Sequence, residues 1–272
     1  MKKHLICLDL DGTLLNDEKN ISDYTFRVLK TLQQQGHYIM IATGRPYRAS
    51  KLYYNQLALN TPIVNFNGAF IHHPLDTHFP TYHERLDEGL AMSIIDTLKK
   101  MNIQNIIAEV GDQVYIDRPD ARLFDGFSMG NPNVKMGDLC ELLHEDPTSL
   151  LVEAEEHMIP RVKQVLTRFY AENIEHRRWG APFPVIELVK RGISKAVGID
   201  VVRKYLGIDR NEIIAFGDED NDLEMIKYAK HGVAMDNAIH ELKYVAKETT
   251  LSNNDDGIGV YLNHFFNLNI PK

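Results

Sequence analysis

Short apolar runs alternate with segments of helical periodicity in the first part of the chain. Residues 5–8, 38–42 and 62–66 are mostly apolar runs without polar alternation, which is typical of strands buried on both faces of a sheet. Between these runs, residues 22–36 and 47–57 place apolar side chains at helical spacing. This strand–helix–strand–helix–strand order predicts an α/β fold built on a doubly wound, Rossmann-like parallel sheet.

The pattern changes in the middle of the chain and returns towards its C-terminal end. Residues 84–187 contain a second set of helix and strand candidates, and the glycine-containing stretch 125–128 is typical of a loop. We therefore expect a discontinuous core made of residues 1–83 and 188–272. The segment 84–187 is then a separate α/β domain inserted into that core.

The amino-acid composition argues against some classes of binding partner and of cellular location. The 272 residues include 38 acidic and 30 basic side chains, a formal net charge of −8, so the basic face of a nucleic-acid binder is not expected. The two cysteines, Cys7 and Cys140, form no CxxC pair and are too few for a disulfide framework. The sequence contains neither a signal-peptide pattern nor a membrane-spanning apolar run. We expect a cytoplasmic protein that acts on a small molecule, without a membrane partner.

The residues suited to chemistry are concentrated where the apolar runs end. Asp9 and Asp11 come after the first run, Thr43 and Gly44 after the second, and Asp218 after a late one. In open α/β sheets, ligands bind at the carboxyl ends of the strands. The positions of these five residues therefore predict a binding site at that edge of the sheet.

The acidic members of this set indicate a metal ion. Asp9 and Asp11 are two positions apart, so in an extended backbone their side chains leave the same face. Carboxylates that close raise each other's pKa unless a cation lies between them. Asp218 and the acid-rich residues 219–222 add further oxygen ligands. Oxygen donors combined with a substrate phosphate suit Mg²⁺, which we expect as the cofactor.

Each motif also has a plainer interpretation. The Asp-x-Asp-Gly-Thr run at 9–13 fits a solvated turn, Thr43 fits a helix cap, and Lys195 fits a surface lysine. An EF-hand loop is excluded, because Leu14 and Leu15 stand where further oxygen ligands are needed. A functional site is favoured by the occurrence of all the motifs together in one chain.

Taken in order, these motifs resemble the signature of the haloacid dehalogenase superfamily. That signature is Asp-x-Asp-Gly-Thr after strand one, Thr or Ser after strand two, then a lysine, then Gly-Asp-x-x-x-Asp. The matching residues here are Asp9, Asp11, Thr43, Lys195, Asp218 and Asp222. The chain is similar to the Cof-type phosphatases, which carry a large α/β cap domain between the second and third motifs. Ala196 and Asp236 stand where glycine is common in that group, and both lie outside the motif residues.

The resemblance implies a Mg²⁺-dependent phosphatase that hydrolyses small phosphorylated metabolites, such as sugar phosphates, through an aspartyl-phosphate intermediate. Asp9 is then the nucleophile and Asp11 the general acid and base. The residues implied to bind the phosphoryl group are Leu10, Thr43, Gly44, Lys195 and Asn221, with Leu10 and Gly44 contributing backbone N–H groups. The residues implied to bind the metal are Asp9, Asp11, Asp218 and Asp222.

Other functions fit the same motifs in part. A phosphomutase or phosphotransferase would use the same core and return the phosphoryl group to a substrate instead of water. A non-enzymatic phospho-acceptor domain would be much shorter, with its acceptor on a later strand. Many phosphate esters fit as substrates, and a monomer and a homodimer fit equally as assemblies. Polar residues of the inserted domain that are candidates for contacting the leaving group, although solvent exposure is the simpler interpretation of each, are Glu84, Arg85, Arg122, Arg177, Arg178 and Trp179.

Overall fold

The computed structural model of the chain describes residues 2–178 and 185–272. It divides into two compact units. The first, here called the core unit, consists of Met1–Gly44, Ser50–Thr81 and Ser194–Lys272; the second, the inserted unit, consists of Arg45–Ala49 and Tyr82–Ile193. In chain order the strands and helices are β1 (Leu5–Leu8), α1 (Asp23–Gln34), β2 (Tyr38–Ile41), α2 (Tyr47–Gln56), β3 (Ile63–Asn65), β4 (Phe70–His72), β5 (Tyr82–His83), α3 (Glu88–Lys99), β6 (Asn105–Val110), β7 (Gln113–Ile116), α4 (Ala121–Phe127), β8 (Asn133–Met136), α5 (Leu139–Leu142), β9 (Ser149–Glu153), α6 (Ile159–Tyr170), β10 (Ile174–Arg178), β11 (Val185–Lys190), α7 (Lys195–Leu206), β12 (Ile213–Gly217), α8 (Leu223–Tyr228), β13 (His231–Ala234), α9 (His240–Val245), β14 (Glu248–Thr249) and α10 (Gly257–Phe265).

The core unit is built on a parallel sheet of five strands in the order β14–β13–β12–β1–β2. Strand β1 lies between β12 and β2, with Leu5 opposite Ile213 on one side and Tyr38 on the other. All four residues of β1 are fully buried. Because successive side chains leave opposite faces of a strand, this burial means that both faces of the sheet are covered. The predicted α/β class with a parallel-sheet core is confirmed.

The third predicted strand does not simply extend that parallel sheet. Strand β3 pairs antiparallel with β4 and approaches the end of β2 through a single parallel bridge between Ala42 and Val64. The N–H of Thr43 donates to the carbonyl oxygen of Val64 at 2.9 Å. This short connection brings the turn that follows β3, the 3-10 turn Phe66–Gly68, to the residues after β2.

The inserted unit contains a six-stranded sheet in the order β10–β11–β9–β6–β7–β8. One face carries a large apolar cluster that includes Ile106 of β6 and Val162 of α6. The opposite face carries a smaller cluster that includes Ile107 of β6 and Leu123 of α4. Neighbouring residues of one strand thus serve two separate apolar layers, as the pleat of a strand requires.

Helix α4 differs from the loop predicted at residues 125–128, because the chain is helical to Phe127. Asp120 caps the helix by accepting hydrogen bonds from the N–H groups of Arg122 and Leu123. Leu123 is buried, and its packing outweighs the helix-breaking tendency of Gly126. None of the helices in the described residues has both the length and the apolar character that a membrane span requires.

The residue boundaries of the two units differ from the domain boundaries expected from the sequence. The inserted unit extends from Tyr82 to Ile193 and takes in Arg45–Ala49. Its C-terminal limit lies beyond residue 187 because β11 continues to Lys190 and pairs antiparallel with β10 along its length. A boundary at 187 would divide that strand.

Candidate active site

Two neighbouring strands of the core unit are each followed by an aspartate. Leu8 of β1 lies opposite Phe216 of β12 in the parallel pair. Asp9 therefore leaves β1 at the same edge of the sheet at which Asp218 leaves β12. This is the carboxyl edge of the parallel strands, where the sequence predicts the site.

A tight turn after β1 brings its residues close to Asp218. The carbonyl oxygen of Leu10 accepts a hydrogen bond from the N–H of Leu15 at 2.9 Å, which closes the turn. Gly12 has a φ of +70°, and a methyl group there would lie 2.2 Å from Oδ2 of Asp218, so the turn requires glycine. The hydroxyl of Thr13 donates to Oδ1 of Asp218 at 2.8 Å. The Gly-Thr part of the motif thus orients the carboxylate of a distant strand.

Asp9, Asp218 and Asp222 form one buried cluster. Their exposed fractions are 6%, 7% and 0%, and one carboxylate oxygen of each lies within 4.8 Å of the others. Burial raises the pKa of Asp9 to about 7, an effect opposed by Lys195 and reinforced by Asp222. Burial and the charges of Asp9 and Asp222 raise the pKa of Asp218 to about 9. When these carboxylates are ionised, the surrounding protein supplies too little positive charge to balance them. The cluster therefore fits a hard divalent cation, which prefers oxygen ligands.

Lys195 is fully buried against this cluster. Ser194 caps α7 by accepting from the N–H of Val197, which places Lys195 on the first turn. Its Nζ donates to Oδ1 of Asp9 at 2.6 Å and to Oδ1 of Asp222 at 2.7 Å. Burial by itself lowers the pKa of Lys195, but the carboxylates of Asp222 and Asp9 outweigh it and hold that pKa above its ordinary value. The buried cluster together with Lys195 therefore contains one ammonium group and three carboxyl groups.

Asp222 adds a negative charge to the cluster and also fixes the backbone of the loop that follows β12. Its Oδ2 accepts hydrogen bonds from the N–H of Asp218 at 2.9 Å and from the N–H of Glu219 at 3.2 Å. Its Oδ1 is bound by Lys195. Both oxygens of Asp222 thus bind protein groups, and they fix the backbone from which Asp218 projects.

Asp11, predicted to be both an acid–base residue and a metal-binding residue, is not brought into the buried cluster. Its side chain is 44% exposed, and its Oδ1 accepts a hydrogen bond from Nζ of Lys19 at 2.8 Å. The expectation of a shared face assumed that extended backbone continues from Asp9 to Asp11. The chain instead turns at Leu10, and the cluster of buried carboxylates includes Asp9 but not Asp11.

The predicted phosphate-binding residues all lie in the core unit. Leu10 is in the turn after β1, while Thr43 and Gly44 follow β2 after Ala42, with Thr43 buried. Asn221 lies in the 3-10 turn Asp220–Asp222 after β12. These residues thus come from the ends of three strands or the turns that follow them.

The structure gives contacts in the site to two residues for which the sequence predicts no role. Thr13 binds Asp218, and Asn67 accepts a hydrogen bond at Oδ1 from Nδ2 of Asn221 at 3.0 Å. The Asn67-Gly68 pair after a buried run reads as an ordinary turn. A polar turn that follows an apolar strand at the carboxyl edge was the available signal.

Several of the polar candidates in the inserted unit form ion pairs within it. The pairs are Glu84 with Lys190, Arg122 with Asp120 and Glu153, and Arg178 with Glu156. Arg85 is exposed, Arg177 is buried, and Trp179 lies outside the described residues. Glu84, Arg122 and Arg178 are thus partly exposed side chains with ion-pair partners in the same unit.

Comparisons with known proteins agree with this arrangement. Residues 6–262 match the family model of the haloacid dehalogenase-like hydrolases. The chain is 49% identical over 267 residues to the 5-amino-6-(5-phospho-D-ribitylamino)uracil phosphatase YitU of Bacillus subtilis (strain 168). The aligned region covers 98% of this chain and 99% of that relative. It is 28% identical over 287 residues to the phosphatase YwpJ of the same organism, covering 96% and 99% of the two chains.

A solved structure extends the likeness to three dimensions. The crystal structure of a haloacid dehalogenase-like hydrolase from Bacteroides thetaiotaomicron has a TM-score of 0.83 to this chain at 28% sequence identity, covering 97% of this chain and all of the other. The family match includes residues from all three segments of the core unit and the whole of the inserted unit. The resemblance predicted from the order of the motifs is confirmed. The chain belongs to the haloacid dehalogenase-like hydrolase family and, within it, to the phosphatases.

Proposed function

We propose that this phosphatase hydrolyses a small phosphate monoester with Mg²⁺ as cofactor and with Asp9 as the nucleophile. The observation that carries the proposal is the buried ammonium of Lys195, which binds both Asp9 and Asp222 beside Asp218. A structural ion pair needs one carboxylate for one lysine. Two carboxylates bound to one buried lysine, with a third carboxylate in the same cluster, instead suit a site that receives a cation and an anionic substrate.

The donor set fits Mg²⁺. Asp9 and Asp218 would hold the ion, while Asp222 would keep Asp218 and Lys195 in place through the hydrogen bonds described above. When bound, Mg²⁺ offsets the negative charge of the carboxylates and of the phosphoryl oxygens. Lys195 contributes a second, permanent positive charge next to Asp9.

The reaction then proceeds in two displacements. The carboxylate of Asp9 attacks phosphorus, the bond from phosphorus to the ester oxygen breaks, and Asp11 gives a proton to that oxygen as it leaves. A water molecule next attacks the phosphorus of the aspartyl-phosphate. Asp11, now ionised, accepts the proton of that water, and inorganic phosphate leaves with Asp9 restored. The partly exposed position of Asp11 suits a group that exchanges protons with both the leaving group and water.

The remaining predicted residues would bind the phosphoryl oxygens. These are the hydroxyl of Thr43, the amide of Asn221, the ammonium of Lys195 and the backbone N–H groups of Leu10 and Gly44. Donors fixed before the substrate binds stabilise the charge of the transition state at little reorganisation cost. Thr43 and Lys195 are both buried, which strengthens such interactions.

For the substrate we propose 5-amino-6-(5-phospho-D-ribitylamino)uracil. The support is the 49% identity to YitU over nearly the whole of both chains. Sugar phosphates are the substrates against which it is compared, because attack by Asp9 on phosphorus does not select the leaving group. A phosphomutase on the same core is the second candidate, and it predicts little phosphate release in water without an acceptor.

The test measures phosphate release by the purified protein with Mg²⁺. The substrates are 5-amino-6-(5-phospho-D-ribitylamino)uracil, a panel of sugar phosphates, flavin mononucleotide, pyridoxal phosphate and p-nitrophenyl phosphate. We expect the kcat/KM for the proposed substrate to exceed that for the panel by at least about tenfold. A panel member that is hydrolysed faster would refute the substrate assignment, and absence of phosphate release from every ester would refute the phosphatase mechanism.

The nucleophile is tested by Asp9→Asn. The amide cannot attack phosphorus, so we expect kcat for p-nitrophenyl phosphate to fall by at least about a thousandfold, with the circular dichroism spectrum unchanged. The control is Asp96→Asn, at an exposed carboxylate of α3 that pairs with Lys100. Wild-type activity in Asp9→Asn would exclude Asp9 as the nucleophile.

A further inference from the structure

The turn that follows β3 has an unusual backbone. Phe66, Asn67 and Gly68 are consecutive residues with φ of +48°, +54° and +107°. All three are buried. Asparagine tolerates the left-handed region, but a bulky residue such as Phe66 is costly there and keeps it only where the surroundings enforce it. Strained turns of this kind cluster at functional sites, so the contacts of this turn are informative.

Asn67 contacts the loops that follow two other strands. Its backbone N–H donates to the carbonyl oxygen of Thr43 at 3.1 Å. Its Oδ1 accepts a hydrogen bond from Nδ2 of Asn221 at 3.0 Å. A methyl group placed on Gly44 would lie 3.2 Å from Nδ2 of Asn67, so the carboxamide of Asn67 packs against the backbone of Gly44. One buried side chain thus touches two of the proposed phosphate-binding residues.

Gly68 brings the same turn against a third segment of the site. A methyl group on Gly68 would lie 2.4 Å from the backbone oxygen of Ser194. Ser194 caps α7 and directly precedes Lys195. The turn 66–68 therefore packs against the residues after β2, the turn after β12 and the start of α7, all within the core unit.

We propose that Asn67 is a positioning residue for phosphoryl binding, which it serves by orienting the amide of Asn221. An asparagine amide has two N–H groups. With one donated to Asn67, the plane of the Asn221 amide is fixed and the second N–H has a defined direction for a phosphoryl oxygen. Groups held in this way before the substrate binds lower the cost of reaching the transition state. The inference rests on the proposed function.

The discriminating variant is Asn67→Gly. Glycine keeps the positive φ and the N–H that binds Thr43, and it removes only the side chain. We expect kcat/KM for p-nitrophenyl phosphate to fall about tenfold to a hundredfold, and the inhibition constant of inorganic phosphate to rise by a similar factor. The matched control is Asn267→Gly, at an exposed asparagine of the core unit with a φ of +52°. It should leave both values unchanged.

A double-mutant cycle separates positioning from a general structural role. If Asn67 acts through Asn221, the double variant Asn67→Gly/Asn221→Ala should lose little more phosphate affinity than Asn221→Ala does. Independent losses that multiply would overturn the proposal, as would a variant Asn67→Gly with wild-type kinetics. A change in melting temperature without a change in the inhibition constant of phosphate would also overturn it.

The test of Asn67 can be distinguished from a test of the proposed function. p-Nitrophenyl phosphate and inorganic phosphate report on the phosphoryl site whatever the leaving group, so an incorrect substrate assignment does not affect the result. An unmutated protein that hydrolyses no ester would refute the proposed function, and the role of Asn67 with it. An active protein with an unaltered Asn67→Gly variant would refute only the role of Asn67.

Discussion

At the scale of single residues, the ammonium of Lys195 is the group on which the buried charges of the site depend. It lies between Asp9 and Asp222 with no exposed surface. Removing one partner of a buried ion pair costs about 3–5 kcal/mol, because the other charge stays in the interior without compensation. Here the raised pKa of Asp9 allows part of that cost to be relieved by protonation.

We therefore expect Lys195→Met to lower the free energy of unfolding by about 3 kcal/mol at pH 7 in urea titrations without metal. The control is Lys204→Met on the same helix, at a side chain that is 65% exposed and pairs with Asp200. An exposed ion pair contributes about 0–1 kcal/mol, so that variant should be nearly neutral. Equal effects of the two substitutions would contradict the importance of the buried pair.

The residues of the candidate site could be picked out from the sequence where their type is unusual for its place. Asp9 and Asp218 each follow a fully apolar strand, and Lys195 is informative only together with them. The contacts of Thr13 and Asn67 could not be predicted, although Thr13 belongs to the Asp-x-Asp-Gly-Thr motif, because a threonine or an asparagine in a turn has a common local explanation. Their partners, Asp218 and Asn221, are more than 150 positions away in the sequence.

At the scale of elements, the starts of β1 and β2 meet in a histidine pair at the end of the sheet opposite the site. The ring centroids of His4 and His37 are 5.3 Å apart, and the N–H of His4 donates to Nδ1 of His37 at 3.1 Å. Glu212 pairs with His4, and the ring of Phe266 lies 4.5 Å from that of His37. Burial lowers the pKa of His37, and the neighbouring His4 lowers it further.

This lowered pKa predicts a loss of stability in mild acid. Above about pH 6.5, His37 is neutral in the folded and unfolded states and contributes no pH dependence. As the pH falls below that value, the unfolded state takes up a proton that the folded state resists, so the free energy of unfolding decreases. The decrease continues until the pH passes the lower pKa of the folded protein.

The measurement is urea unfolding of the wild type and of His37→Asn between pH 5 and 7. Asparagine retains an acceptor for the N–H of His4, and the slope of stability against pH should become smaller. The control is His144→Asn, at an exposed histidine where the burial that lowers the pKa of His37 is absent, and it should keep the wild-type slope. Identical slopes for wild type and His37→Asn would show that His37 does not cause the pH dependence.

Elements were predictable where local capping and periodicity agree. Helix α1 begins after Ser22, whose side chain accepts from the N–H of Thr25, and its apolar face is buried as the spacing predicts. Helix α4 was not predictable, because burial of Leu123 against the sheet overrides the loop signal of Gly126. The antiparallel pairing of β3 likewise depends on β4, which the periodicity does not reveal.

At the scale of the whole molecule, the proposed binding of Mg²⁺ would be coupled to folding through the buried cluster. The carboxylates of Asp9, Asp218 and Asp222 come from two strand ends that meet only in the folded chain. A ligand that binds only the folded state stabilises it by about 2.7 kcal/mol at a concentration a hundred times its Kd. We expect Mg²⁺ to raise the melting temperature by several degrees over the protein in EDTA, measured by differential scanning calorimetry.

Asp218→Asn separates this effect from general ionic stabilisation. The amide removes a carboxylate that Asp9 and Asp222 repel, so the metal-free variant should be at least as stable as the wild type. The stabilisation by Mg²⁺ should be lost. An undiminished increase in melting temperature in Asp218→Asn would place the cation elsewhere.

The sequence by itself determined the class of fold and the edge of the sheet at which the site lies. Buried parallel strands read as continuous apolar runs, and their polar ends meet at one edge, so both conclusions follow from local pattern. Only the tertiary structure decided which acids share a buried cluster. It separated Asp11 from Asp9 by a turn and enclosed Lys195 among carboxylates from distant segments. Burial and electrostatic strength depend on neighbours brought together by folding, and spacing along the chain does not contain them.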